Sequence, residues 1–329
     1  MIATTRLRET ARHMRAFVFA WLARLSGRRV GLVLVYHGVT CETGDARTEI
    51  VPAIGAGPLE RHVRHLKRRY RLVPPSAIPA TLTARRRGQR IPVALTFDDD
   101  LASHAVGAAP ILRRLSAPAA FFVCGASLDA PHLFWWEDLQ EAIDRRLVAS
   151  ADLPVLPPDL VEAALGRSER AAARLATAVE ELTPSAREDV AQTLRAHTGP
   201  PPGDAGLRAT AVRALVDEGF ELGFHTLRHD RLPPLDDDAL AAALEDGRGR
   251  LEAAAGRALT SISYPHGRAD GRVAAAAHAA GFELGLTGGE RAATPGDTAL
   301  LVPRIQPTFG THGSFAVQVA RFASGRLRS

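Results

Sequence analysis

The chemistry available to this chain gathers where three short apolar runs end. The first, Ile91–Phe97, leads straight into Asp98, Asp99 and Asp100. Three adjacent carboxylates repel one another, and their proton affinities rise unless a cation neutralises them. The second, Phe220–Phe224, leads into His225, Thr226, Leu227, Arg228 and His229. Imidazoles four residues apart fall on one side of a helical turn and can share one ion. The third, Leu259–Tyr264, passes through Ser263 and Tyr264 into Pro265, His266 and Gly267, and a Pro-x-Gly turn there presents backbone N–H groups to a reacting oxygen. Each segment alone has an ordinary explanation: a solvated acidic loop, a surface histidine pair, a plain turn. Together the first two supply a two-histidine, one-carboxylate metal site with positions left open for water and substrate.

Such residues need strands to carry them. Apolar runs bounded by turn residues recur at Gly31–His37, Ile91–Phe97, Ala117–Cys124, Phe220–Phe224, Leu259–Tyr264, Phe282–Leu286 and Leu300–Ile305. Helical patterns separate most of them, for instance Leu59–Tyr70, Ser103–Leu115, Asp236–Ala255, Gly271–Ala280 and Gly313–Ala323. Alternation of strand and helix predicts parallel strands with right-handed crossovers. Seven strands predict a distorted, incompletely closed α/β barrel, with the chemistry at the C-terminal ends of its strands. From about Asp138 to Leu215 the rhythm breaks into an Ala-, Arg- and Glu-rich stretch without a strand, expected to be a helical insertion.

The three segments resemble motifs of a known family. Thr96-Phe97-Asp98-Asp99, His225-Thr226-x-x-His229 and Tyr264-Pro265-x-Gly267 are similar, in order and in strand-end placement, to the first three motifs of the polysaccharide deacetylases (carbohydrate esterase family four, the NodB homology domain). Phe121-Phe122-Val123 resembles that family's second barrel strand, and the resemblance spans about Val30 to Phe309. It implies a (β/α)7 barrel and a hydrolase that removes an N-acyl group, acetyl foremost, from an amino sugar of a polysaccharide, oligosaccharide or glycolipid. A lipid-linked sugar as substrate, and a glycan binder without turnover, are the rival expectations. The resemblance further implies a divalent metal, zinc foremost, on Asp99, His225 and His229. Asp98 becomes the general base, and His266, through its backbone N–H, with Tyr264, meets substrate and oxyanion.

The chain departs from the family pattern in several places. Asp100 stands where a glycine is usual, so it either alters the local field or caps the next helix. Ser263 replaces the arginine that opens the third motif, and Arg304 is the expected substitute for orienting Asp98. The later tryptophan-bearing motif is not recognisable, and no Leu-x-His near the C-terminus supplies a general acid. Instead Leu34-Val35-Tyr36-His37-Gly38 resembles the Tyr-His start of the circularly permuted members, which implies that His37 protonates the leaving amine. The other histidines, His62, His65, His104, His132, His197, His278 and His312, lack such context and are expected at the surface or in packing. Trp135 and Trp136 are either an aromatic wall for a sugar ring or core.

Composition narrows the partners. Hydrophobic residues make up 46% of the 329, enough for a large core. The net charge is +5, yet Lys67 is the only lysine, and the arginines are scattered rather than interleaved with aromatics, which argues against nucleic acid. Cys41 and Cys124 form neither a disulfide framework nor a metal spacing. Residues 1–29 form a basic amphipathic segment preceding a catalytic domain at 30–329, with the insertion at about 138–215. The apolar run Ala16–Ala23 is far too short to span a bilayer, so the segment either lies on an anionic membrane face or packs on the domain. The expected location is cytoplasmic or peripheral to the inner membrane, with secretion left open.

Overall fold

The computed structural model describes residues 2–45 and 47–325; residues 1, 46 and 326–329, which the expected segment 1–29 and domain 30–329 include, lie outside the described residues. Seven parallel strands occur in chain order: β1 (Leu32–Tyr36), β2 (Pro92–Asp98), β3 (Ala120–Val123), β4 (Glu221–Phe224), β5 (Ser261–Ser263), β6 (Leu284–Thr287) and β7 (Val302–Pro303). Each pairs in parallel with the next of these strands. The circle closes where the Val35 N–H donates to the Ile305 carbonyl (3.0 Å) and the Ile305 N–H donates to the Val33 carbonyl (2.8 Å). The first strand therefore lies beside the last.

Strand parity decides what each residue can do, because successive side chains point to opposite faces. Val33, Ala94, Ala120, Phe122, Leu284, Leu286 and Val302 share one cluster, the barrel interior. Leu32, Leu34, Tyr36, Val93, Leu95, Phe97, Leu222, Phe224 and Ile262 belong to another, packed with Leu59, Val63, Leu112, Val212, Leu251 and Phe315 of the surrounding helices. At the strand ends or one residue past them, the inward parity selects His37, Asp98, His225, Ser263 and Arg304. Tyr264 has the outward parity. Gly223 is required by the interior packing: a Cβ there would stand 2.3 Å from the Phe122 ring. The helix Ile78–Ala84 and Val73 close the opposite end of the barrel.

The long excursion after β3 folds as helices Trp135–Arg145, Pro158–Leu165, Ala171–Glu180 and Pro184–Thr198, with a core of its own from Leu139 to Leu194. The next helix, Ala209–Asp217, instead gives Val212 and Leu215 to the main core, so it belongs to the barrel's outer layer. The expected single helix at Asp236–Ala255 is two, Asp237–Glu245 and Arg248–Ala255, broken at Gly247, whose φ is +76°. The N-terminal helix, Ile2–Leu25, packs along the C-terminal helix His312–Ser324 through Ala16, Ala316 and Ala320.

Candidate metal centre and active site

The three segments converge on one cavity of about 260 Å³ at the C-terminal mouth of the barrel, lined among others by His37, Asp98, Asp99, His225, His229 and Arg304. Asp98 ends β2 with its carboxylate buried and clamped. Arg304 Nη1 donates to Oδ1 and Nη2 approaches Oδ2, both at 2.8 Å, and the Ser263 hydroxyl donates to Oδ2 at 2.9 Å. This is the bidentate fork that guanidinium and carboxylate form best. Burial alone would raise the Asp98 carboxyl; the charges of Arg304 and His225 outweigh it and hold it down at about 2. The arginine missing from the third motif is thus replaced in space by one arriving from β7, with Ser263 completing the clamp.

Asp99 leaves the strand with φ of +79°, a conformation non-glycine residues rarely adopt. Its Oδ1 is buried without a hydrogen-bond partner among the described residues. It stands 3.5 Å from His225 Nε2 and 3.6 Å from His229 Nε2. Tetrahedral ligands at about 2.1 Å from an ion stand about 3.4 Å from one another. One donor atom from each of the three residues lies within 4.8 Å of the others. The His225 Nδ1–H donates to the Ser263 carbonyl at 2.7 Å, which leaves the Nε2 lone pair facing Asp99. The residues present therefore fit a divalent ion, with two nitrogens and one carboxylate oxygen as ligands. Without one they are electrostatically unsettled. Burial pulls His225 down but Asp98 and Asp99 push it up, while burial and the neighbouring His225 drive His229 well down.

Backbone strain marks the same place. Thr226, His229 and His266 join Asp99 in having positive φ, at 57°, 53° and 57°. Such conformations cost on the order of 1–3 kcal/mol each and persist where the surroundings over-determine them.

Two expectations need correction. Tyr264 meets neither substrate nor oxyanion: its outward parity buries the ring in the core, where its hydroxyl donates to the Leu300 carbonyl at 3.0 Å and its N–H donates to Leu286 at 3.1 Å. Asp100 neither faces the cavity nor caps a helix. It accepts the N–H groups of Cys124 (2.6 Å) and Gly125 (3.0 Å) on one oxygen and the N–H and hydroxyl of Ser127 (both 3.0 Å) on the other. It anchors the loop after β3.

His37 and His266 line the cavity. The insertion also reaches it, as a long excursion that leaves and returns at the barrel rim should. Glu180, the last residue of its helix, places Oε1 3.2 Å from His266 Nδ1. Trp136 is buried with its ring 4.6 Å from that of His229 and stacked on Phe134 at 4.4 Å. It is a wall of the candidate metal site as well as core. A wider trough of about 770 Å³ begins at Glu180 and runs between the insertion and the loop after β4.

Comparison with known proteins agrees with this arrangement. The family model "Polysaccharide deacetylase" matches residues 186–285, a span that includes His225, His229 and His266 but not Asp98, Asp99 or Arg304. No curated protein matches the chain. Among solved structures, the Streptococcus pyogenes deacetylase PplD superposes with a TM-score of 0.58 at 15% identity, covering 88% of this chain and 97% of that one. A de-N-acetylase from Aggregatibacter actinomycetemcomitans superposes at 0.55 and 17%, covering 86% and 96%. IcaB from Ammonifex degensii does so at 0.53 and 19%, covering 90% and 97%. At these identities the superpositions establish the fold, and the family match falls on the histidine-bearing part of the site. Residues 186–285 are thus similar to the polysaccharide deacetylases, and the chain shares the fold of solved deacetylase structures.

Proposed function

We propose that the protein removes an N-acetyl group from an amino sugar within a polysaccharide or oligosaccharide, with a divalent metal, zinc by its donor set, on Asp99, His225 and His229. The carrying observation is the juxtaposition in one cavity of that preorganised ligand set with Asp98 clamped by Arg304 and Ser263. When bound, the ion supplies Lewis-acid polarisation of the amide carbonyl. Asp98 accepts the proton of the attacking water, held at a fixed angle by its two partners. His37, inward-facing on β1, gives a proton to the nitrogen as the carbon–nitrogen bond breaks. The position of that strand, first in the chain and hydrogen-bonded to the last, supports reading the chain as a permuted member of the family. His266 lines the same cavity, where its backbone N–H can serve the oxyanion.

The trough leading away from Glu180 suits a substrate longer than one sugar. A deacetylase-like binder without turnover drew its support from the missing third-motif arginine, and Arg304 removes that support.

The experiment is acetate release from N-acetylglucosamine oligomers by zinc-loaded protein, with an activated aryl acetate ester measured in parallel. The native chain should hydrolyse both. His37→Ala should lose about 10²–10⁴-fold on the amide, whose amine leaves poorly unprotonated, and much less on the ester. Stoichiometric metal without acetate release from the oligomers would overturn the proposed substrate class. Equal loss on both substrates would make His37 structural.

A further inference from the structure

The N-terminal helix carries an apolar face that the fold leaves uncovered. Eight large hydrophobic side chains are exposed among the described residues, and five of them, Met14 (62%), Phe17 (45%), Val18 (42%), Trp21 (52%) and Leu22 (41%), lie on this one helix. At about 100° per residue they occupy a continuous arc of about 140°. Ala16 and Ala23, buried against the rest of the molecule, lie diametrically opposite. The stripe is therefore not a misplaced core face; the helix has a separate face for the fold.

Charge identifies the occupant. On the helical wheel, exposed Arg15 lies just beyond one edge of the stripe and exposed Arg24 just beyond the other. Arg69 from the helix Ala56–Arg69 lies with its guanidinium 4.7 Å from the Phe17 ring centre, next to exposed Lys67 and Arg68 in the same last turn. The first thirty residues hold seven arginines and one acid, and that acid, Glu9, is occupied by Arg12, Thr311 and Gly313. An apolar stripe bordered on both sides by cations, with tryptophan among its members, complements the boundary between anionic headgroups and acyl chains. A protein partner would need a concentrated acidic rim to match it, and no helix among the described residues is long and apolar enough to span the bilayer instead.

We infer that the protein docks on anionic membrane surfaces through Met14, Phe17, Val18, Trp21 and Leu22, steered by Arg15, Arg24, Lys67, Arg68 and Arg69. The reading stands apart from the catalytic one, since none of these residues lines the active-site cavity.

Sedimentation with vesicles of phosphatidylcholine, or of phosphatidylcholine mixed with phosphatidylglycerol, tests it on the full chain. Binding should appear on the mixed vesicles alone and weaken as salt is raised. The double variant Phe17→Glu, Trp21→Glu should lose about tenfold or more of it. Both positions face solvent, so melting temperature and zinc content should not change. The milder Arg15→Gln, Arg68→Gln pair should reduce binding without removing it. Absence of binding to anionic vesicles, or undiminished binding by the double variant, overturns the inference. So does a dimer in light scattering that the double variant dissolves, since a second copy would then be the occupant.

Discussion

Histidines gather in two places in this molecule, with opposite results. At the barrel mouth, His225 and His229 have ring centres 4.8 Å apart, and His266 lies 4.6 Å from His229. Under the N-terminal helix, His312 lies 5.1 Å from His13 and 5.3 Å from His65, while His62 stacks on Phe315 at 3.5 Å. Density of imidazoles is similar in the two places. What differs is the company. The first group faces Asp98 and Asp99, and the Ser263 carbonyl fixes the tautomer of His225. The second packs on aromatic rings and on one another, with Arg61, Arg68 and Arg69 nearby, and burial pushes His62 down to about 3 and His65 to about 4. A metal site is made by a carboxylate whose oxygen has no other partner and by lone pairs already aimed at it; histidines alone make a hydrophobic contact.

Exchanging the two roles by mutation gives the largest expected effect. His225→Ala or Asp99→Ala should abolish stoichiometric zinc and reduce acetate release to background, because each removes one of the three proposed ligands. His65→Gln in the second cluster should leave both unchanged. Elemental analysis of the purified proteins decides it, and full metal content in His225→Ala would remove the ligand assignment.

Arg304 sharpens the comparison next. It is the cation that keeps the buried carboxylate at the barrel mouth charged. Arg304→Ala leaves Asp98 as an uncompensated buried charge, a change worth about 3–5 kcal/mol of stability. Zinc should still bind. Arg304→Lys restores charge but not the two-pronged fork, so it should recover melting temperature more than kcat. If the lysine variant recovered kcat fully, charge alone would suffice and the clamp geometry would be irrelevant.

Much of this was legible in the sequence because it depends on period. All seven strands coincide with the expected apolar runs to within a residue, and alternation carried to the strand ends selects the inward residues His37, Asp98, His225, Ser263 and Arg304. Tyr264 was misassigned although the same alternation, applied one residue past Ser263, turns it outward. The role of Asp100 was not legible, since its four donors come from the loop after the neighbouring strand, more than twenty residues away. Nor was Glu180, one of many acids in a helical stretch, distinguished until the insertion folded back on His266. Local pattern carries parity; contacts made by an excursion's return have no local pattern.

The smallest effect concerns acid. His62 and His65 are neutral in the fold and titrate at about 3 and 4, first because they are buried and then because His312 and nearby arginines repel a further charge. Unfolded, each takes a proton near pH 6.5. The unfolded chain therefore binds more protons below that pH, so the contribution of the cluster to stability is complete above about 6.5 and declines as pH falls toward about 4. Glu9 of the N-terminal helix, itself paired with Arg12, opposes this at His312; His13 on that helix, and Arg61, Arg68 and Arg69 on the next, add to it. The loss should be on the order of 2 kcal/mol from each histidine at pH 5, a shift of several degrees in melting temperature. It should appear first as protease cleavage at the junction near Ser26–Arg29, where the N-terminal helix joins β1. His65→Gln, unable to take the proton, should flatten the decline. An unchanged pH profile in that variant would place the acid sensitivity elsewhere and leave the second cluster as packing with no titration of consequence.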